Sequence, residues 1–300
     1  MTSSPPAAPG TFSVGGEYPV SRLGFGAMRL PTAPGAARDG AVAVARRAVA
    51  LGVGLIDTAH LYGWGANEEL LAEALHPYPD GLLITTKVGV VRTGGPEGWS
   101  YDARPDSLRE QVEEGLRRLR TERIGLLQLH RIDPKVPVAE QVGALRELQR
   151  EGKIGHIGLS EVTTSQLAEA RRTGEIASVQ NRYNLLDREY EPVLEACEAA
   201  GIAFLPWRPV AAATPAHTRE LDAIATELGA TAPQLLLAWL LARSPVVVPI
   251  PGTASLAHLE QNVAAADLRL SGAQLRSLDR LAGMEGTEGP EGAEGPEATA

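Results

Sequence analysis

Short apolar runs rich in β-branched residues alternate along this chain with longer segments in which apolar side chains recur every three or four positions. The first pattern is typical of buried strands and the second of amphipathic helices. Their alternation predicts parallel βα units, and eight such units joined by right-handed crossovers close into a barrel. The sequence therefore predicts an α/β protein with the (β/α)8 TIM barrel fold. The predicted strands span 21–28, 53–59, 82–88, 124–131, 153–160, 176–181, 201–207 and 246–250.

Three further segments lie outside the repeated units. Residues 11–20 predict an N-terminal β-hairpin that turns at Gly15 and Gly16, and we expect it to cover the N-terminal mouth of the barrel. Residues 217–229 and 271–282 have helical periodicity and predict two extra helices. The expected organisation is a flexible N-terminus over 1–10, a single barrel domain over 11–282 and a disordered acidic tail of Gly, Glu and Pro over 283–300.

Composition and charge narrow the class of protein. The longest apolar run, 235–242, is far shorter than the ~20 residues that cross a bilayer, so we expect no membrane partner. The first ten residues contain neither a basic residue nor an apolar segment, which predicts a cytoplasmic protein without a targeting signal. A net charge of −9 argues against nucleic acid as a partner. The single cysteine, Cys197, excludes an internal disulfide.

Four polar residues stand at or just after the ends of consecutive predicted strands, namely Asp57, Tyr62, Lys87 and His130. In a barrel the C-terminal ends of all strands surround one mouth, so these side chains should meet. A phenol titrates near ~10 in water, and it donates a proton at neutral pH only if a nearby cation stabilises the phenolate. We therefore expect a proton-transfer site in which Lys87 is that cation, Asp57 holds the ammonium and His130 orients a carbonyl oxygen.

A set of longer motifs gives these residues a family context. The chain resembles the aldo-keto reductase superfamily over 21–281, through GFGAMRL, LIDTAHLYG, TTKVG, LLQLHR, GKIGHIGLSEV, VQNRYNLLDRE and PIPGTASLAHLEQN in the family's order. The resemblance implies an enzyme that reduces aldehydes or ketones to alcohols with hydride from a reduced nicotinamide. It implies that Tyr62 is the general acid and that Lys87, supported by Asp57, lowers the pKa of Tyr62. It also implies that His130 positions the carbonyl.

The resemblance further implies a cofactor site, for which NADPH is expected and NADH is possible. Residues matching the nicotinamide end are Gly26, Met28, Asp57, Ser160, Gln180 and Trp207. Those matching the phosphate and adenosine end are Arg208, Gly252, Thr253, His258, Gln261 and Asn262. Two usual basic positions of the family are Gly252 and His258 here, so Arg208 is a candidate for the missing charge. Glu161 replaces a usual Asn, and since a carboxylate accepts but does not donate hydrogen bonds, we expect altered carboxamide contacts.

Two other functions fit parts of the pattern. A lysine at the end of a barrel strand also suits a Schiff-base aldolase, with Lys87 forming the imine. A nicotinamide-binding sensor subunit, similar to the β subunits of potassium channels, would keep the fold and bind the cofactor with little turnover. No spacing of His, Cys and carboxylate residues predicts a metal site. Small aldehydes or ketones are the expected substrates, and we expect the loop after the third strand, with Trp64 and Trp99, to contact them.

Overall fold

A computed structural model describes residues 10–94, 98–210 and 214–284 of the chain. Its strands are β1 (Thr11–Val14), β2 (Tyr18–Ser21), β3 (Phe25–Gly26), β4 (Leu55–Asp57), β5 (Leu83–Val88), β6 (Val90–Arg92), β7 (Trp99–Tyr101), β8 (Ile124–Leu129), β9 (Ile154–Ser160), β10 (Ser178–Gln180) and β11 (Ala203–Phe204). Its helices are α1 (Ala36–Ala50), α2 (Ala66–Leu75), α3 (Pro105–Leu119), α4 (Val138–Arg150), α5 (Thr164–Thr173), α6 (Glu191–Ala200), α7 (Pro215–Glu227), α8 (Ala232–Arg243), α9 (Leu256–Ala264) and α10 (Gly272–Met284).

Parallel strands form the wall of a barrel. The hydrogen-bonded order is β3, β4, β5, β8, β9, β10 and β11, and each neighbouring pair is parallel. Every predicted strand up to the seventh is therefore present, although most are shorter than their apolar runs. Helices α1 to α6 connect or follow these strands as the alternating pattern predicts. This confirms the predicted (β/α)8 fold.

The eighth predicted strand, 246–250, closes the barrel without forming a regular ladder. Its only ladder element among the described residues is a parallel bridge between Phe204 and Val247. The Val248 amide donates to the Phe204 carbonyl at 2.8 Å, and the Gly24 amide donates to the Pro249 carbonyl at 2.9 Å. Pro249 and Pro251 have no N–H to donate, so the segment accepts bonds from the first strand but cannot return them. The prediction of a regular strand here was wrong for that reason.

The predicted hairpin is formed by β1 and β2, which pair in antiparallel fashion. Three residues, Gly15 to Glu17, separate the paired Val14 and Tyr18, and Gly15 and Gly16 have φ values of 60° and 71°, a left-handed conformation that glycine adopts without strain. Val14 and Val20 are fully buried in one cluster with apolar side chains from the starts of the barrel strands, including Leu55, Leu83, Leu126, Ala177 and Ala203. The hairpin thus covers the N-terminal mouth, and polar chemistry is left to the other end.

The remaining elements differ in detail from the predicted ones. The predicted extra helices are α7 and α10, and β6 and β7 form an antiparallel hairpin in the loop after β5 that the sequence pattern did not predict. Residues 1–9 and 285–300, which contain most of the predicted flexible N-terminus and acidic tail, lie outside the described residues. Within the described ranges, no single helix is long and apolar enough to span a membrane, and one pair meets that length and composition test only with a bend of 82°.

The packing at the hairpin end predicts a large effect of Leu83→Ala on stability. Leu83 is 1% exposed within the cluster that joins the hairpin to the barrel. Truncation of a buried leucine leaves a cavity and costs about 2–5 kcal/mol, which chemical denaturation followed by circular dichroism would measure. Leu256→Ala is the matched control, because Leu256 is 46% exposed and should change the free energy of unfolding little. Equal losses in the two variants would contradict this account of the core.

Candidate active site

A buried lysine lies at the centre of the polar site. Lys87, near the end of β5, has no exposed surface, and its ammonium donates three hydrogen bonds. The acceptors are Asp57 Oδ2 at 2.7 Å, the Thr58 carbonyl at 2.9 Å and the Tyr62 hydroxyl at 3.3 Å. Burial alone would lower the pKa of Lys87, but its charge attraction and hydrogen bonds to Asp57 and Tyr62 together raise it. The side chain therefore remains an ammonium at neutral pH.

The second oxygen of Asp57 is held by amides from two other strands. Oδ1 accepts hydrogen bonds from Gln128 Nε2 at 3.1 Å and Gln180 Nε2 at 2.9 Å. Gln128 lies on β8, two residues before His130, and is fully buried. Its amide also donates to the Thr85 hydroxyl at 2.9 Å. The sequence analysis missed Gln128, although a polar residue at an inward position of an otherwise apolar strand was a signal for it. The carboxylate is thus fixed from both sides.

Tyr62 lies in the turn after β4 with its hydroxyl on Lys87. Burial of the ring raises the pKa of Tyr62, while the charge of Lys87 acts in the opposite direction. Lys87 thus lowers the pKa of Tyr62 as expected, but burial outweighs this effect and the net shift is upward. The three residues that follow have positive φ values, 62° at Gly63, 55° at Trp64 and 95° at Gly65. This tight turn brings the tyrosine back over the end of β5.

His130 follows β8 directly and is 7% exposed. Its ring meets that of Tyr62 edge to face, with centroids 6.2 Å apart. Burial, followed by the positive charges of Lys87 and Arg131, lowers the pKa of His130 well below its usual value. At neutral pH the imidazole is therefore neutral, and a neutral imidazole offers one N–H and one acceptor nitrogen to a ligand.

Above these residues the C-terminal end of the barrel opens into a cavity of about 820 Å³. Every residue predicted for the cofactor lines it, and only Lys87 of the four proton-transfer residues lies beneath it instead. The predicted residues on its wall are Gly26, Met28, Asp57, Tyr62, His130, Ser160, Gln180, Trp207, Arg208, Gly252, Thr253, His258, Gln261 and Asn262. Trp64 and Trp99 are not on the wall. The described structure thus brings the predicted site together in one place, and the individual roles stay predictions.

The wall of the cavity favours an anion. It carries the guanidinium groups of Arg29, Arg131 and Arg208, and its one carboxylate among the described lining residues, Asp57, is already paired with Lys87. This local excess of positive charge lies in a chain whose net charge is −9. The residues predicted for the nicotinamide end, such as Ser160 and Trp207, and those predicted for the adenosine end, Gln261 and Asn262, line this same cavity. The donor set therefore fits a nicotinamide cofactor with its phosphates.

The side chains at the nicotinamide end are partly engaged with each other. Ser160 Oγ accepts a hydrogen bond from Arg131 at 3.2 Å, and both N–H groups of the Gln180 amide point to Asp57 and Gln128. The side-chain amide oxygen of Gln180 is thus the atom of this side chain that is available to accept a hydrogen bond from a ligand. Glu161 is not on the cavity wall, and its carboxylate binds the indole N–H of Trp207 instead. Arg131 was not singled out in the sequence, although its place directly after His130 was a signal.

The fold and the site together define a class of protein, a (β/α)8 barrel oxidoreductase with a tyrosine and a lysine at the cofactor cavity. The chain belongs to the aldo/keto reductase family, whose model matches residues 22–282. It is 41% identical over 282 residues to pyridoxine 4-dehydrogenase of Escherichia coli, with 91% of this chain and 98% of that protein covered. It is 45% identical over 276 residues to an uncharacterized oxidoreductase of Schizosaccharomyces pombe, with 90% and 89% covered.

Solved structures agree with this assignment. The structure is similar to an aldo/keto reductase from Klebsiella pneumoniae in complex with NADP and acetate, with a TM-score of 0.80, 31% identity, and 91% and 95% of the two chains covered. It is also similar to a thermostable aldo-keto reductase, Tm1743, with a TM-score of 0.79, 32% identity, and 88% and 96% covered. The predicted family, fold, carbonyl-reducing activity and use of a nicotinamide cofactor are therefore confirmed.

The lowered pKa of His130 predicts a specific pH dependence of stability. Below about pH 6.5, the usual pKa of histidine, His130 is protonated in the unfolded chain but still neutral in the folded protein. As the pH is lowered below that value, the free energy of unfolding therefore decreases by up to about 1.4 kcal/mol per pH unit. The decrease ends when the pH reaches the folded-state pKa of His130. We expect His130→Gln to flatten this fall between pH 7.5 and 5.5, measured by chemical denaturation. The control His258→Gln changes an exposed histidine, and an equal slope in both variants would contradict the assignment.

Proposed function

We propose that this protein is an NADPH-dependent reductase of small aldehydes and ketones in which Tyr62 donates the proton. The observation that carries the proposal is the hydroxyl of Tyr62, which faces the cavity while it rests on the buried ammonium of Lys87. When bound, the reduced nicotinamide supplies a hydride to the carbonyl carbon, and the oxygen then needs a proton. The phenol gives up that proton beside a fixed positive charge, which stabilises the phenolate as it forms.

The neighbouring residues orient the reacting groups. His130, as a neutral imidazole, can hydrogen-bond the substrate oxygen without competing as a proton source. Asp57 fixes the ammonium of Lys87 and so fixes the charge beneath Tyr62. Ser160 and Gln180 would hold the carboxamide of the nicotinamide, and Trp207 would stack on its ring.

NADPH is preferred in this proposal over NADH. The support is the positive charge on the cavity wall, together with the NADP bound to the similar Klebsiella reductase. Arg208 and His258 would contact the 2′-phosphate, while Thr253 and the backbone around Gly252 would lie against the pyrophosphate. Gln261 and Asn262 would face the adenine. Met28, which is 58% exposed, leaves a flexible apolar surface at the rim.

The substrate in this proposal is a small carbonyl compound. The relation to pyridoxine 4-dehydrogenase makes pyridoxal the first compound to assay, beside a simple aromatic aldehyde. A single barrel domain over 11–282 would suffice for this reaction, and we place it in the cytoplasm, where the reduced nicotinamide pool lies. Lys87 argues against the aldolase alternative, because an imine-forming amine must lose its proton, and this one is buried below the cavity with three acceptors. The intact proton-transfer residues argue against a sensor without turnover.

The proton-donor role predicts that Tyr62→Phe abolishes most carbonyl reduction. Loss of a general acid typically costs about 10²- to 10⁴-fold in rate, whereas NADPH affinity should stay close to that of the wild type because the hydroxyl is not a cofactor contact in this proposal. Oxidation of NADPH at saturating aldehyde and fluorescence titration measure the two quantities. Tyr101→Phe is the control, since Tyr101 is 42% exposed and off the cavity wall. Retained turnover in Tyr62→Phe would refute the mechanism.

The phosphate contacts predict a selective effect on the two cofactors. Arg208→Ala and His258→Ala should each weaken NADPH binding by about tenfold, the loss of one charge-assisted hydrogen bond, with a smaller effect on NADH. Titration of each variant with both cofactors gives the ratio of dissociation constants. Arg172→Ala, an exposed cation on α5, is the control for net charge. Equal weakening of both cofactors would show that neither side chain reads the 2′-phosphate.

A further inference from the structure

The carboxylate of Glu161 is bound to the indole that faces the cofactor cavity. Glu161 Oε1 accepts a hydrogen bond from Trp207 Nε1 at 2.5 Å and another from the Arg182 amide at 2.7 Å. Its second oxygen lies 3.5 Å from the Tyr190 hydroxyl. Hydrogen bonds from N–H groups to a carboxylate are shorter and stronger than those to neutral acceptors. This contact is therefore a strong directional restraint on the Trp207 ring.

The backbone on both sides of the contact is held in place. Glu161 adopts the left-handed conformation with φ 55°, which costs a non-glycine residue about 1–2 kcal/mol. Its amide donates to the Gln180 carbonyl at 3.0 Å, and the Trp207 amide donates to the Asn181 carbonyl at 3.2 Å. Asn181 also bonds both the amide and the carbonyl of Val162. Backbone strain that is compensated in this way is typical of functional sites.

The carboxylate of Glu161 contacts the edge of Trp207 from outside the cavity lining. Trp207 lines the cavity, whereas Glu161 does not. The carboxylate therefore binds the N–H of the pyrrole edge without being part of the cavity wall. An indole rotates about two side-chain torsions, and a hydrogen bond at Nε1 fixes the second of them. A negative charge at the N–H edge also makes the ring face more negative, which strengthens its attraction for a cation.

We propose that Glu161 is a positioning residue that fixes the indole of Trp207 and makes the cavity favour an oxidised nicotinamide, which is cationic, over the reduced and neutral form. The inference rests on the proposed function, in which Trp207 stacks on the nicotinamide. Hydride loss creates positive charge on that ring. A preformed negative charge behind the indole therefore stabilises the products of hydride transfer without touching the substrate.

Two substitutions separate the geometry from the charge. Glu161→Gln keeps an acceptor oxygen for the indole N–H and removes the charge, whereas Glu161→Ala removes both. We expect Glu161→Gln to weaken NADP⁺ binding by about two- to fivefold, the size of a cation–π contribution, with NADPH binding nearly unchanged. Glu161→Ala should weaken both cofactors and increase the acrylamide quenching of Trp207 fluorescence in the cofactor-free protein, identified by subtraction of a Trp207→Phe spectrum.

The control is Glu175→Gln, which removes the same charge from an exposed position at the opposite end of the barrel. A NADP⁺ to NADPH affinity ratio in Glu161→Gln equal to that of Glu175→Gln would overturn the charge role. Unchanged quenching in Glu161→Ala would overturn the positioning role. Failure of the wild type to bind either cofactor would refute the proposed function itself, while the quenching comparison in the cofactor-free protein would still test the positioning.

Discussion

A fully buried ammonium group governs the catalytic end of this barrel. Removing a charged amine from water costs several kcal/mol even after relaxation, so Lys87 is tolerated only with every donor satisfied. The need for a partner carboxylate places Asp57 on the next strand, and that buried carboxylate in turn requires the amides of Gln128 and Gln180. One charge thus dictates the inward residues of four strands, and the position of Tyr62 follows from it.

The two ends of the barrel divide stability from chemistry. At the start of the strands, Val14 of the hairpin packs against apolar side chains of the barrel such as Leu83, and this packing removes apolar surface from water. Because this apolar end contributes stability, the polar groups at the other mouth need not form an apolar core. The chain reversal at Gly15 and Gly16 places Val14 and Val20 in this closed end of the barrel, away from the cavity.

Sequence reasoning predicted the parts of the structure that periodicity and strand ends control. The seven regular strands, the hairpin and the convergence of Tyr62 with Lys87 and His130 follow from alternation and barrel geometry. The irregular closure at Pro249 does not, since it depends on which neighbour supplies donors. The direction of the side chain of Glu161 was equally unpredictable, because it follows from a left-handed backbone that no propensity assigns to glutamate.

The electrostatics of the mouth are consistent with the proposed role of a neutral phenol as the acid. Burial raises the pKa of Tyr62 and lowers that of His130, so both side chains are uncharged at neutral pH. The fixed charges beneath them are Lys87 and Asp57, which already compensate each other. Loss of the phenolic proton then creates a new negative charge within hydrogen-bond distance of the ammonium, where it is stabilised without reorganisation. In the proposed mechanism, the ammonium of Lys87 therefore stabilises the charge that develops in the transition state more than it stabilises the neutral ground state.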